Sequence, residues 1–82
     1  MKVLIVDDEP LARDELEYLL KQNVLVDQVA QAESIGQAIT QLLTTPTDLV
    51  FLANSLNNEN GFALAEKLNQ LATPPLVVVA QA

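Results

Sequence analysis

The chain has 82 residues, a hydrophobic content of 50% and a net charge of −7. This length fits one domain, and the hydrophobic content is sufficient for a packed core. Because the chain has no cysteine and no histidine, disulfides, thiolate sites, Ser-His-Asp triads and the common zinc sites are excluded within it. The basic residues are too few and too scattered for a direct nucleic-acid surface; they are Lys2, Arg13, Lys21 and Lys67.

Membrane and secretion signals are not predicted in this sequence. Every apolar stretch is far shorter than the ~20 residues that cross a bilayer. The first apolar residues run directly into Asp7-Asp8-Glu9, whereas a signal peptide needs a longer apolar segment and a small-residue cleavage site. We therefore expect a cytoplasmic location and no membrane partner.

In the first half of the chain, residues 2–6 form a β-branched and aliphatic run that predicts a strand buried on both faces. Pro10, preceded by acidic residues, predicts the start of a helix, and apolar residues at helical spacing extend this first helix to near Asn23. Residues 24–30 predict the second strand.

In the second half, Ser34 is a candidate N-cap for a second helix, which Thr44-Thr45-Pro46 ends. Residues 49–52 predict a third apolar strand, and the Asn-rich residues 54–61 predict a loop. A third amphipathic helix then runs to the break at residues 73–75, and residues 76–79 predict a fourth strand.

Apolar strands that alternate with amphipathic helices predict an α/β domain with a parallel sheet covered on both faces. Ligands of such open sheets bind beyond the carboxyl ends of the strands. Asp7 and Asp8 follow the first strand at a helix N-terminus. Two adjacent carboxylates there resemble half of a Mg²⁺ site, because Mg²⁺ prefers oxygen ligands.

Residues 3–13, Val-Leu-Ile-Val-Asp-Asp-Glu-Pro-Leu-Ala-Arg, closely resemble the start of receiver domains of two-component response regulators, particularly those joined to LytTR-type DNA-binding domains. The likeness continues through residues 48–52, 60–68 and 74–79 and covers essentially the whole chain. It implies a flavodoxin-like (CheY-like) three-layer sandwich with a parallel sheet. Four strands in the order 2-1-3-4 and three helices would belong to residues 1–82, a receiver-like domain truncated after the fourth strand.

The resemblance also implies roles for particular positions. Asp8 would be a direct Mg²⁺ ligand, Asp7 would act through water, and the carbonyl of Ser55 would match a backbone ligand. The phosphoryl-accepting aspartate of the family ends the third strand, and that position is Ala53 here. The family's switch hydroxyl follows the fourth strand, at the position of Ala80. We therefore predict no catalytic residue and no cofactor-binding residue.

Two interpretations of the acid pair, Asp7 and Asp8, stay open. The pair is either a residual Mg²⁺ site, weak and hydrated, or simply a set of acids that favours a helix N-terminus. No cofactor is required in either case. Asp48 is rejected as a substitute phosphoryl acceptor, because it lies five residues before Ala53, about 16–17 Å away along an extended strand.

The fourth strand, Leu76, Val77, Val78 and Val79, has an outer edge that nothing later in this chain can cover. An exposed apolar edge pairs readily with another chain. We therefore expect a homodimer or a protein partner on this side.

These observations favour a degenerate receiver domain in two-component phosphorelay signalling, one that acts by protein–protein contact and contributes to transcription regulation. The chain would not be an enzyme. One alternative is a Mg²⁺-dependent phosphoryl-transfer enzyme that uses Asp7 or Asp8. Enzymes of the haloacid-dehalogenase type, however, have an aspartate at the position of Glu9. Another alternative is a plain structural dimerisation domain.

Overall fold

A computed structural model describes residues 1–53, 55–56 and 59–80 of the chain. Strands and helices alternate along most of this length, as the sequence predicts. The elements are β1 (Lys2–Val6), α1 (Pro10–Lys21), β2 (Gln28–Ala32), α2 (Ile35–Thr44), β3 (Leu49–Ala53), β4 (Ser55–Leu56), β5 (Glu59–Asn60), α3 (Gly61–Leu68) and β6 (Leu76–Ala80).

The main sheet has four strands in the spatial order β2-β1-β3-β6, and every neighbouring pair is parallel. Since β6 is the fourth strand of this sheet along the chain, the predicted order 2-1-3-4 is confirmed. The register places Val6 of the central strand β1 beside Ala32 on one side and Leu52 on the other. The carboxyl ends of β1, β2 and β3 therefore meet at one edge of the sheet.

One face of the sheet carries the main hydrophobic core, which packs against α2 and α3. Alternate residues of each strand point to this face, and helix residues such as Ala38 and Leu64 are buried against them. The buried residues of the core are Leu4, Val6, Ala32, Ala38, Val50, Leu52, Leu64 and Leu68.

The opposite face packs against α1 over β1 and β2 and is less completely covered. Val3 and Ile5 of β1 are both 2% exposed on this face. In β6, by contrast, Leu76 is 69% exposed and Val78 is 39% exposed. The cover of this face therefore decreases from β1 towards β6.

The second strand begins later than the sequence pattern predicts, at Gln28 rather than Val24. The side chain of Asn23 accepts a hydrogen bond from the amide of Leu25 at 2.9 Å, and its carbonyl accepts one from Val26 at 3.0 Å. This turn keeps Val24 and Leu25 out of the ladder, where they are 94% and 64% exposed. The predicted strand, residues 24–30, thus begins about four residues too early. Local hydrogen bonds of an asparagine prevailed over the β propensity of these residues.

Other boundaries also differ from the sequence predictions, and helix α3 ends at Leu68 rather than at the predicted break at residues 73–75. Helix α1 ends at Lys21 rather than near Asn23, and the amide of Gln22 donates back to the carbonyl of Leu19. The Asn-rich segment predicted as a loop contains a short antiparallel ladder, in which Ser55 pairs with Asn60 and Leu56 pairs with Glu59. In the described ranges, no helix has the length and apolar character needed to span a bilayer.

Candidate functional site

The acid pair lies at the carboxyl edge of the sheet, where the sequence predicts it. Asp7 and Asp8 directly follow β1 and are both half-buried. Val6 of β1 and Leu52 of β3 are register partners. Asp7 follows Val6 directly, and Ala53, the last residue of β3, follows Leu52. The acid pair and Ala53 are therefore neighbours on the two central strands.

Asp7 is anchored through its backbone and its side chain. Its amide donates a hydrogen bond to the carbonyl of Ala32 at 3.1 Å, which extends the ladder between β1 and β2 by one residue. Its Oδ1 atom accepts a hydrogen bond from the amide of Glu9 at 3.0 Å. Asp7 thus holds the turn from strand to helix, a structural task that an aspartate side chain performs readily.

Helix α1 starts immediately after the acid pair, for reasons that are visible in the sequence. Pro10 is at the first helical position, where its missing N–H has no partner to lose. Glu9 is the N-cap, and its carboxylate accepts a hydrogen bond from the amide of Leu11 at 3.3 Å. These two residues fix the direction in which the chain leaves the edge of the sheet.

Arg13 and Gln31 join the acid pair to the rest of the domain, a role that the sequence does not predict. The Arg13 guanidinium donates one hydrogen bond to the carbonyl of Asp7 at 2.7 Å and another to Oε1 of Gln31 at 2.8 Å. The only signal in the sequence is an arginine at the fourth position of a helix that follows three consecutive acids. Gln31 carries no such signal, because its contact with Arg13 is purely tertiary.

The side-chain amide of Gln31 has further partners on α1. Its Nε2 atom donates to Asp14 at 3.1 Å and to Glu17 at 3.0 Å. The carboxylate of Glu17 also pairs with Lys21 at 2.8 Å. Hydrogen bonds from Lys21 and then from Gln31 hold the pKa of Glu17 below its ordinary value, because they stabilise its charged form.

The other two predicted site residues are described by their backbone alone. Ser55 begins β4, two residues after Ala53 along the chain. Ala80 ends β6 and is the register partner of Ala53. The structure therefore brings Ala53, Ala80 and the acid pair to one edge.

The acid pair offers two carboxylates, the kind of donor that a largely hydrated Mg²⁺ ion uses. Within the described part of the chain, no group of three or more acidic, histidine or cysteine side chains could hold a metal. Mg²⁺ often keeps several waters and binds through one or two carboxylates, which is what Asp7 and Asp8 can offer. When bound, such an ion would supply positive charge for a phosphoryl or similar anion.

Asp48 lies at the opposite edge, where β3 begins, and its carboxylate accepts a hydrogen bond from the amide of Lys2 at 2.7 Å. A cleft of about 430 Å³ is also found at that edge, lined partly by Asp48, Leu71 and Pro75. This cleft is remote from the acid pair, and we assign it no part in the candidate site.

Comparison with known proteins agrees with this geometry. The family model of the response regulator receiver domain matches residues 3–82. The sensory transduction protein LytT of Enterococcus faecalis is 50% identical over 82 residues, which are 100% of this chain and 34% of that protein. The chain thus spans about a third of the length of such curated relatives.

Solved structures match the fold closely. The response regulatory domain of mrkE from Klebsiella pneumoniae has a TM-score of 0.89 and 30% identity, over 100% of this chain and 67% of that one. An aspartate-to-alanine mutant of the MaeR response regulator bound to sulfate has a TM-score of 0.90 and 26% identity, over 99% and 66% respectively. The fold is the CheY-like flavodoxin fold, and the chain belongs to the response regulator receiver domain family.

Proposed function

We propose that this chain is a degenerate receiver domain of a two-component system, which signals through contact with a protein and takes up no phosphoryl group. The observation that carries the proposal is Ala53, at the carboxyl end of β3 beside the acid pair. Resemblance to the family assigns the phosphoryl acceptor to this position. A methyl group can neither attack phosphorus nor ligate a metal.

The fourth strand of the sheet supports the same proposal. Ala80 is the register partner of Ala53, and resemblance assigns the switch hydroxyl to it. Alanine offers no hydroxyl that could turn towards a phosphate. Without an acceptor and a switch, the balance between signalling conformations would depend on the sequence or on a bound partner.

We propose a residual role for Mg²⁺ at the acid pair. Asp8 would bind the ion directly, Asp7 would act through water, and the carbonyl of Ser55 would complete the protein ligands. With so few protein donors, binding would be weak and the ion would stay largely hydrated. The ion would not be required for folding or for partner contact.

The partner surface in this proposal is the face and edge of β6. Among the described strands, β6 has β3 as its neighbour on one side, while Leu76 and Val78 are exposed. The accessible surface of the chain is 5274 Å², against about 4,800 Å² for a typical folded monomer of 8.9 kDa. We propose that, in the isolated 82-residue chain, a second copy covers this side, with the two β6 edges next to each other.

The output that we propose is transcription regulation, by means of a longer protein that contains this domain. Its support is the resemblance to receivers joined to LytTR-type DNA-binding domains, together with relatives about three times as long as the chain. The E. faecalis relative is described as a sensory transduction protein. In this proposal the domain works in the cytoplasm and is not itself an enzyme.

The test is a set of ¹H–¹⁵N correlation spectra, recorded with Mg²⁺ and then with Mg²⁺ plus beryllofluoride. We expect the phosphate analogue to leave every peak of the native sequence in place. The matched variant is Ala53→Asp, which restores a carboxylate at the end of β3 and should gain peak shifts with the analogue. Shifts of the native protein in residues 53–61 would contradict the proposal, because some other group would then hold phosphate.

A further inference from the structure

The guanidinium of Arg13 contacts the acid loop, residues 7–9, through a hydrogen bond to the carbonyl of Asp7. It is half-buried between α1 and β2. Its two hydrogen bonds, 2.7 Å to the Asp7 carbonyl and 2.8 Å to Gln31 Oε1, leave from different nitrogens of the same planar guanidinium. A rigid fork of this kind fixes its two acceptors relative to each other.

The bond to Asp7 bears directly on Asp8. The carbonyl of Asp7 and the amide of Asp8 belong to one planar peptide unit. The amide of Asp7 already donates a hydrogen bond to the carbonyl of Ala32. The bond from Arg13 to the Asp7 carbonyl therefore restrains the peptide plane between Asp7 and Asp8. Arg13 therefore helps to fix the peptide plane that leads into Asp8.

Gln31 in turn fixes Arg13. Its Oε1 atom accepts from Arg13, while its Nε2 atom donates to Asp14 and Glu17. Both ends of the amide are occupied, so its orientation is determined. Its backbone carbonyl accepts a hydrogen bond from Gln41 of α2 at 2.7 Å, which joins the network to the other layer of the domain.

We propose that Arg13 is a positioning residue for cation binding at the acid pair, and that Gln31 holds it in place. This inference rests on the proposed residual Mg²⁺ site. Metal ligands depend in general on neighbours that orient them, and loss of such a neighbour typically lowers metal affinity about 10-fold or more. Here the oriented group is a backbone peptide rather than a ligand side chain.

The charge and the position of Arg13 have opposite effects on Mg²⁺ affinity. A positive charge beside the loop repels a divalent cation, so its removal by itself would strengthen binding. Removal of the positioning bonds would weaken binding. The sign of the change in affinity therefore distinguishes a positioning residue from a nearby charge.

The experiment is a Mg²⁺ titration of the 82-residue chain, followed through the amide peaks of residues 7–9. Arg13→Met removes the positive charge and both hydrogen bonds of the guanidinium. Gln31→Met removes the hydrogen bond between Gln31 and Arg13 without a change of charge. Lys67→Met, on the distant helix α3, is the charge-matched control. We expect dissociation constants about 10-fold higher for the first two variants and an unchanged or slightly lower value for the control.

Equal or tighter Mg²⁺ binding by Arg13→Met would overturn the inference, whatever the stability of the variant, because affinity is measured on the folded protein. If the native chain binds no Mg²⁺, both the residual site and the positioning role of Arg13 are overturned, while the degenerate-receiver function keeps its separate test with beryllofluoride.

Discussion

Both faces of the sheet carry apolar strand residues, yet these residues have different environments on the two faces. On the face that packs against α2 and α3, Val50 and Leu52 are completely buried. On the face that packs against α1, Val3 and Ile5 are buried, but Leu76 and Val78 are exposed. Alternation along a strand therefore assigns residues to faces, while the number of helices on each face decides how much burial contributes to stability.

The first prediction sharpens this comparison with one residue type on two neighbouring strands. Leu52→Ala should lower the free energy of unfolding by about 2–5 kcal/mol, since it opens a cavity in the core. At a protein concentration low enough to keep the chain monomeric, Leu76→Ala should cost about 0.5 kcal/mol or less, because Leu76 is 69% exposed. Urea unfolding followed by circular dichroism measures both values. Equal losses would show that the second face is covered in solution.

The second prediction tests whether a second copy covers that face. Leu76→Lys should weaken self-association at least about 10-fold, or roughly 1.4 kcal/mol, because it places a charge where apolar surfaces would meet. Leu43→Lys is the matched control, since Leu43 is 75% exposed on α2. Sedimentation velocity over a range of concentrations gives the dissociation constants. A native chain that stays monomeric at high concentration contradicts a homodimer and favours a different protein partner.

The third prediction, with the smallest expected effect on stability, concerns the polar contacts that join α1 to the sheet face of Val3 and Ile5. The folded-state pKa of Glu17 is lowered by Lys21 and Gln31, so its contribution to stability is present above its ordinary value of 4.5. That contribution is lost as the pH falls through the lowered value. Glu17→Gln should cost at most about 0.5 kcal/mol at neutral pH and nothing in strong acid.

The control for the third prediction is Glu15→Gln, which makes the same change on an exposed position of the same helix. Urea unfolding at neutral pH and at about pH 3 gives the pH dependence of each variant. A Glu17 variant whose loss of stability is the same at both pH values would mean that the carboxylate contributes through packing and not through its charge.

The sequence predicts the candidate site well where the site is local. Asp7 and Asp8 directly follow an apolar strand, and Pro10 and Glu9 begin the next helix, so strand, acids and helix start are contiguous in the chain. The contact between Arg13 and Gln31 joins residues 18 positions apart. No periodicity or spacing predicts it, because it depends on the register of β2 against β1.

By itself, the sequence determined the alternation of strands and helices, the parallel sheet and the edge at which the acids lie, since apolar periodicity and helix start signals are local properties. Only the tertiary structure decided that β2 begins at Gln28, that Gln31 meets Arg13, and that Leu76 and Val78 stay exposed. Each of these outcomes depends on which elements pack together. Packing of distant elements is a cooperative property of the whole chain, and no short segment encodes it alone.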